Sequence, residues 1–192
     1  MALYLNNFIL IVLLLLAVYF DLTKNKIPNF LTFPVMIWGL VSHTFVNGFE
    51  GLLFSLAGLG LGIALLFIPF ALGGMGAGDV KLLGAIGAIG GVNFIILAAL
   101  YGAVIGGIMS IGYMIYNKRF IPTMKGFGLM LAKPLLYFIS IRFRAPQLLQ
   151  ITALTMPAES NDTDNKEENL YIPYGVAIAL GTFVALSGFT VL

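Results

Sequence analysis

The sequence contains no cysteine and few charged residues. Without cysteine, disulfide bonds and thiolate metal sites are excluded. Lys, Arg, Asp and Glu make up 9% of the 192 residues, whereas a soluble domain carries about 25%, so a soluble globular domain is excluded as well. The single histidine, His43, is interpreted as a lone polar residue rather than a metal ligand. We expect neither a metal nor a cofactor.

Apolar residues dominate the composition of the chain. They make up 60% of the chain, and the mean hydropathy is +1.02. This composition predicts an all-α, polytopic membrane bundle, and the length predicts a single domain over residues 1–192. The first apolar stretch has no basic region before it and no small-residue cleavage site, so we expect a retained membrane helix rather than a signal peptide.

Hydropathy predicts about six membrane helices. A helix needs about 20 residues to cross a hydrocarbon core of about 30 Å. The apolar segments cover residues 2–20, 30–46, 51–72, 80–91, 94–116 and 173–191. The fourth is only about 18 Å long at 1.5 Å per residue, and the turn that follows it is predicted at 90–93 because of its paired glycines.

The basic residues predict the orientation. With six membrane helices, all ten Lys and Arg residues fall on one side, and the positive-inside rule makes that side cytoplasmic. Residues 47–50 and 91–93, on the opposite side, contain none. The long connection 117–172 is then cytoplasmic. Within it, residues 129–141 are interpreted as an interfacial segment attracted to anionic lipid, with a short seventh membrane helix as the alternative.

Two aspartates, Asp21 and Asp79, are the only acidic residues in or beside apolar segments on the cytoplasmic side. An Asp at the centre of a membrane helix costs about 2.5–3.5 kcal/mol on insertion scales, and two carboxylates brought together form an acid–base pair. Gly76 and Gly78 lack a Cβ, so the backbone there can adopt positive φ and let another chain approach closely. The structural alternatives are that Asp79 is a helix N-cap and that Asp21 marks the end of the first membrane helix.

Three motifs carry a resemblance to a known family. They are Asp21 with the downstream run IPNFLT at 27–32, the run GAGDVKL at 76–82, and the run IPYG at 172–175. Together they span most of the chain, and the sequence resembles the type IV prepilin peptidase family.

The resemblance implies an aspartic endopeptidase of the cytoplasmic membrane that removes the short basic leader of pilin-like precursors. Its two catalytic aspartates match Asp21 and Asp79, and Gly76, Gly78 and Lys81 match the supporting motif. The longer members also carry a cysteine-rich region and methylate the new N-terminus. This chain has no Cys, so methyltransferase activity is not expected, and the compact form looks like the peptidases of Tad/Flp pilus systems or archaeal preflagellin peptidases.

The expected mechanism shares one proton between the two carboxyl groups, because adjacent carboxylates resist double ionisation. The helix dipole favours Asp79 as the base and Asp21 as the acid, an order that nearby lysines could reverse. Substrate docking is expected through the apolar helix of the precursor, and no nucleic acid partner is expected. The competing interpretation is a proton-coupled membrane carrier that uses the same aspartates. The substrate's identity and the oligomeric state stay open.

Overall fold

A computed structural model of the protein describes residues 2–116 and 173–189. The predicted all-α fold is confirmed for these residues, which form helices joined by short connections. The helices are α1 (Ala2–Lys24), α2 (Asn29–Ala71), α3 (Ala77–Tyr116) and α4 (Tyr174–Phe189). The predicted interfacial segment 129–141 and its alternative as a seventh membrane helix lie outside the described residues.

The chain divides into two compact units. The first comprises Met1–Ser110 with Tyr171–Leu192, and the second comprises Ile111–Leu170. Every contact discussed below lies within the first unit.

Three of the four helices suit a membrane. Helices α1, α2 and α3 are long and apolar enough to cross one, and α4 is apolar but shorter. Large apolar side chains such as Phe8, Ile37 and Ile108 are exposed on the outer surface. Extensive exposed apolar surface marks contact with lipid or protein, so the helices suggest a multi-pass membrane protein.

Helix α2 turns back on itself at Gly48, which has non-helical dihedrals (φ 59°, ψ −137°). A Cβ built on Gly51 would strike the backbone carbonyl of His43, and the rings of His43 and Phe54 lie 4.9 Å apart. In an unbroken helix these two residues would be separated by roughly 16 Å. The two halves of α2 are therefore antiparallel.

Helix α3 reverses in the same way at Gly91 (φ 73°, ψ −174°). Asp79, near its start, lines a pocket with Asp21, and Asp21 contacts the first turn of α4. In that same turn, the Tyr174 hydroxyl lies 3.2 Å from Ser110 Oγ, near the far end of α3. An unbroken helix would hold residues 79 and 110 roughly 45 Å apart, so α3 also consists of two antiparallel halves.

Both reversals lie at the boundaries between predicted membrane helices. Gly48 falls within 47–50 and Gly91 within 90–93, and both adopt positive φ. Glycine has no Cβ to oppose this backbone conformation, which explains why each break occurs at a glycine.

Glycines also allow the first half of α3 to pack closely against both halves of α2. A Cβ on Gly58 would collide with the Gly87 carbonyl oxygen, and one on Gly87 would collide with the Gly58 carbonyl oxygen. Beside this contact, Cβ atoms on Gly39 and Gly62 would meet α3 carbonyl oxygens at 2.7 and 2.5 Å. Small residues at such contacts are typical of closely packed membrane helices.

Two side chains of α2 bind backbone carbonyls where the first half of α3 ends. Ser55 Oγ donates to the Ala88 carbonyl oxygen at 2.6 Å, and His43 Nε2 lies 2.9 Å from the Ile89 carbonyl oxygen. Carbonyls in the last turn of a helix lack intrahelical partners, so polar side chains satisfy them. These contacts fix the far end of the half-helix that begins near Asp79.

Helix α1 extends further than predicted. The sequence places its end at residue 20, whereas the helix continues to Lys24 and includes Asp21 in its last turn. Asn25 ends it with positive φ (51°), and the Asn25 N–H donates to the Asp21 carbonyl oxygen at 3.1 Å. Asparagine is one of the few residues that adopt this left-handed conformation at a helix end.

Candidate active site

Asp21 is almost completely buried, with 1% of its surface exposed. Its Oδ2 accepts a hydrogen bond of 3.1 Å from the backbone N–H of Val176, in the first turn of α4. The carboxyl group therefore lies between the end of one helix and the start of another.

Asp79 is also buried, with 6% of its surface exposed. It is the third residue of α3, and its N–H donates to the Gly76 carbonyl oxygen at 3.2 Å. A Cβ on Gly76 would lie 3.3 Å from Asp79 Oδ2, so a larger residue there would press on the carboxylate.

Neither the N-cap alternative nor positive φ at the two motif glycines is found in this segment. Asp79 is not an N-cap, because α3 already begins at Ala77. Gly76 and Gly78 do not have positive φ; in this connection Gly73 does. The close approach expected at Gly78 does occur: a Cβ there would lie 3.2 Å from both the Cβ and the backbone N of Ile27.

The two carboxyl groups line one pocket of about 320 Å³. The rest of the lining comes from the α1–α2 connection and the start of α3, namely Asn25, Lys26, Ile27, Asn29, Gly76, Ala77, Gly78 and Lys81. The structure thus brings together Asp21, Asp79, Gly76, Gly78 and Lys81, all of them residues predicted for the site.

The Ile27 side chain packs against the first turns of both α3 and α4. It is buried at 6% exposure. Besides its contact with Gly78, its Cδ1 would lie 3.0 Å from a Cβ on Gly175. Glycines on both sides let the two helices close around this residue, next to both aspartates.

Lys81 lies at the edge of the pocket. Its Nζ donates to Asn29 Oδ1 at 2.9 Å and lies 5.6 Å from the centroid of the Phe33 ring. The lysine thus joins the start of α3 to the start of α2. Such a contact steadies the geometry of the rim and leaves a positive charge beside the pocket.

A second cavity, of about 570 Å³, lies around His43 and not around the aspartates. The Trp38 Nε1–H donates to Asn6 Oδ1 at 3.1 Å, and Asn6 Nδ2 is 3.5 Å from His43 Nε2. His43 is therefore part of a polar network with other side chains. Among the described residues, no three His, Asp or Glu side chains are grouped as a metal site would require.

The fold and the pocket define a class: a helical membrane protein with two buried carboxylates at helix ends. A family model described as the type IV leader peptidase family matches residues 8–111, which is more than half of the chain. The chain belongs to this family, whose members are aspartic peptidases that cleave the leader peptides of prepilins. Comparison with the curated proteins gave no match, and comparison with the solved structures gave none either.

Sequence reasoning missed several residues of the site, and two of them lie close to Asp21. One is Ile27, whose burial between two glycines depends on how the helices assemble. The other is the Val176 N–H, which lies outside the stretch that the family model matches. A backbone donor has no residue type of its own, so only its place just after the IPYG run could have pointed to it.

Proposed function

We propose that this protein is a membrane-embedded aspartic endopeptidase that removes the leader of type IV pilin-like precursors at the cytoplasmic face, with Asp21 and Asp79 as its catalytic pair. The observation that carries the proposal is the meeting of two buried carboxyl groups, from separate helices, in one pocket. Family membership supports the reaction class.

In the proposed reaction the pair holds one proton. The ionised carboxylate takes a proton from a water molecule, and the hydroxyl attacks the scissile carbonyl carbon while the protonated carboxyl donates a hydrogen bond to its oxygen. Collapse of the tetrahedral intermediate breaks the C–N bond, and the proton that was taken from water passes from the carboxyl group to the leaving amine. The mechanism needs two carboxyls with one proton between them and does not depend on which of them holds it.

We propose six membrane passes within one domain over 1–192, with 117–172 on the cytoplasmic side. The support is that α2 and α3 each reverse at a glycine, which makes six helical segments with α1 and α4. Lys26 and Lys81 line the same pocket as the aspartates. Basic residues favour the cytoplasmic side of a bilayer, so the pocket is assigned to that side of the inner membrane.

Single-cysteine labelling tests this topology without background, because the chain has no cysteine of its own. Asn47→Cys, beside the first reversal, and Gly74→Cys, in the α2–α3 connection, are both exposed positions. In sealed vesicles with the cytoplasmic side outward, a membrane-impermeant thiol reagent should label Gly74→Cys at once and Asn47→Cys only after permeabilisation. Labelling of both positions from the same side would refute the assigned topology.

The substrate's apolar helix is the proposed docking element. The lysines at the pocket repel a basic leader, whereas the exposed apolar helix faces suit a hydrophobic segment that lies in the same bilayer. Family membership implies a prepilin substrate.

The reaction can be tested directly. Membranes that contain the protein and a pilin-like precursor with a basic leader should yield a shorter product, and sequencing of its N-terminus should show cleavage at the end of the leader. The carrier alternative predicts proton-coupled uptake by sealed vesicles and no product. Vesicles with wild-type protein that transport protons but leave the precursor intact would exclude the peptidase.

A further inference from the structure

We propose that the first turn of α4 positions Asp21 for catalysis, through the backbone N–H of Val176 and the missing side chain of Gly175. The inference rests on the proposed peptidase function. It adds positioning residues from a helix that lies beyond residues 8–111, the part of the chain matched by the family model.

The Val176 N–H is suited to hold a carboxylate. The first N–H groups of a helix have no acceptor within the helix, and the helix dipole favours negative charge near them. Val176 is the third residue of α4, and its N–H donates to Asp21 Oδ2 at 3.1 Å. A directional bond to one carboxylate oxygen limits rotation of the Asp21 side chain, and so fixes how the group faces the pocket.

Gly175 provides the space that this carboxylate occupies. A Cβ at position 175 would lie 2.7 Å from Asp21 Oδ2 and 2.9 Å from its Cγ. These distances are too short for non-bonded contact between heavy atoms. On the other side, the Ile27 Cδ1 at 3.0 Å blocks a simple shift of the added methyl group. Even alanine would therefore displace the Asp21 carboxyl group.

The other glycines of α4 show that this arrangement is not ordinary helix packing. A Cβ on Gly181 would collide with the backbone of Gly102 in α3, which is a helix–helix contact. A Cβ on Gly188 would meet nothing within 4 Å. Of the α4 glycines, Gly175 is the one whose nearest neighbour is the carboxyl group of a proposed catalytic residue.

Two substitutions test the proposal. Gly175→Ala should lower kcat about 100-fold, the scale of effect when a catalytic group is misplaced by about 1 Å. KM should stay within about twofold, because precursor docking is assigned to apolar helix contacts. Val176→Pro removes the N–H, and a preceding glycine reduces the steric conflict that proline causes. Val176→Ala keeps the N–H, so its kcat should exceed that of Val176→Pro by at least about tenfold.

The two remaining α4 glycines separate positioning from stability. Gly188→Ala should match the wild type in kcat and should not lower the melting temperature. Gly181→Ala should lower the melting temperature through its collision with Gly102, whereas kcat per folded molecule should stay close to wild type. Gly175→Ala should show the reverse pattern: kcat should fall, and the melting temperature should stay close to wild type.

A second measurement does not depend on cleavage. A hydrophobic carbodiimide modifies carboxyl groups, and mass spectrometry can measure the extent at Asp21 and Asp79 separately. In Gly175→Ala and Val176→Pro, the ratio of Asp21 to Asp79 modification should rise at least about threefold, because Asp21 loses its fixed position. Gly181→Ala should leave this ratio unchanged.

The positioning role is overturned if Gly175→Ala and Val176→Pro both keep the wild-type kcat and the wild-type ratio of Asp21 to Asp79 modification. It is equally overturned if Gly181→Ala reproduces their kcat loss and their changed ratio, since the cause would then be general loosening of α4. Failure of the peptidase proposal looks different: wild-type protein would not cleave the precursor, while the modification ratio would still report whether α4 fixes Asp21.

Discussion

Replacing Asp79 with asparagine is expected to lower precursor cleavage by about four orders of magnitude or more, the scale seen when a member of a catalytic unit is removed. Asparagine has nearly the same shape as aspartate but can neither take up nor release the proton that hydrolysis requires. Asp21→Asn should have the same effect. The measurement is the initial rate of leader removal with purified protein in detergent, normalised to folded protein.

The control for this prediction is Glu50→Gln. Glu50 is an exposed acid near the reversal of α2 and does not line the pocket, so its neutralisation should leave the rate unchanged. The double variant with Asn at both 21 and 79 should be no slower than either single variant, because residues that act as one unit do not contribute additively. Substantial cleavage by either single variant would eliminate the carboxyl pair as the catalytic centre.

Gly58→Ala is expected to lower the free energy of unfolding by about 3 kcal/mol or more, at the upper end of what overpacking costs. The added methyl group would collide with the backbone of Gly87 and come within 2.8 Å of the Gly91 Cα. Both atoms belong to main chain and cannot rotate away, so the two helices must separate. The half-helix that starts at Ala77 would shift with them, and we expect cleavage to fall as well.

Gly60→Ala is the matched control, in the same half of α2 and only two residues further on. A Cβ there would meet nothing within 4 Å, and alanine favours a helix over glycine by about 1 kcal/mol. Thermal or denaturant unfolding in detergent should therefore show opposite signs for the two variants. Equal stability changes would mean that the Gly58–Gly87 contact does not limit the approach of these helices.

Much of the fold follows from local patterns in the sequence. Gly48 and Gly91 interrupt long apolar runs, and the structure reverses at both. Gly58 and Gly62 are spaced for one face of a helix, and that face packs against α3. These features were predictable because each depends on a residue type and a spacing that neighbouring residues already define.

The details of the pocket were less predictable. The exact helix ends were missed near both aspartates: α1 continues past Asp21 to Lys24, and α3 begins at Ala77, which places Asp79 inside it. Helix ends depend on one residue's conformation and on capping contacts, which apolar periodicity does not report. The positions of Ile27 and Val176 depend on contacts between distant parts of the chain, and a single sequence contains no direct record of such contacts.

The hydrogen bond between Val176 and Asp21 joins residues that are 155 positions apart. During synthesis the ribosome makes Asp21 early, long before the partner that orients it exists. The nascent chain therefore passes through a stage in which both acidic side chains have been made but one lacks its backbone support. The support of Asp21 is complete only after α4 has been inserted, so the proposed positioning role ties full activity to the late steps of membrane assembly.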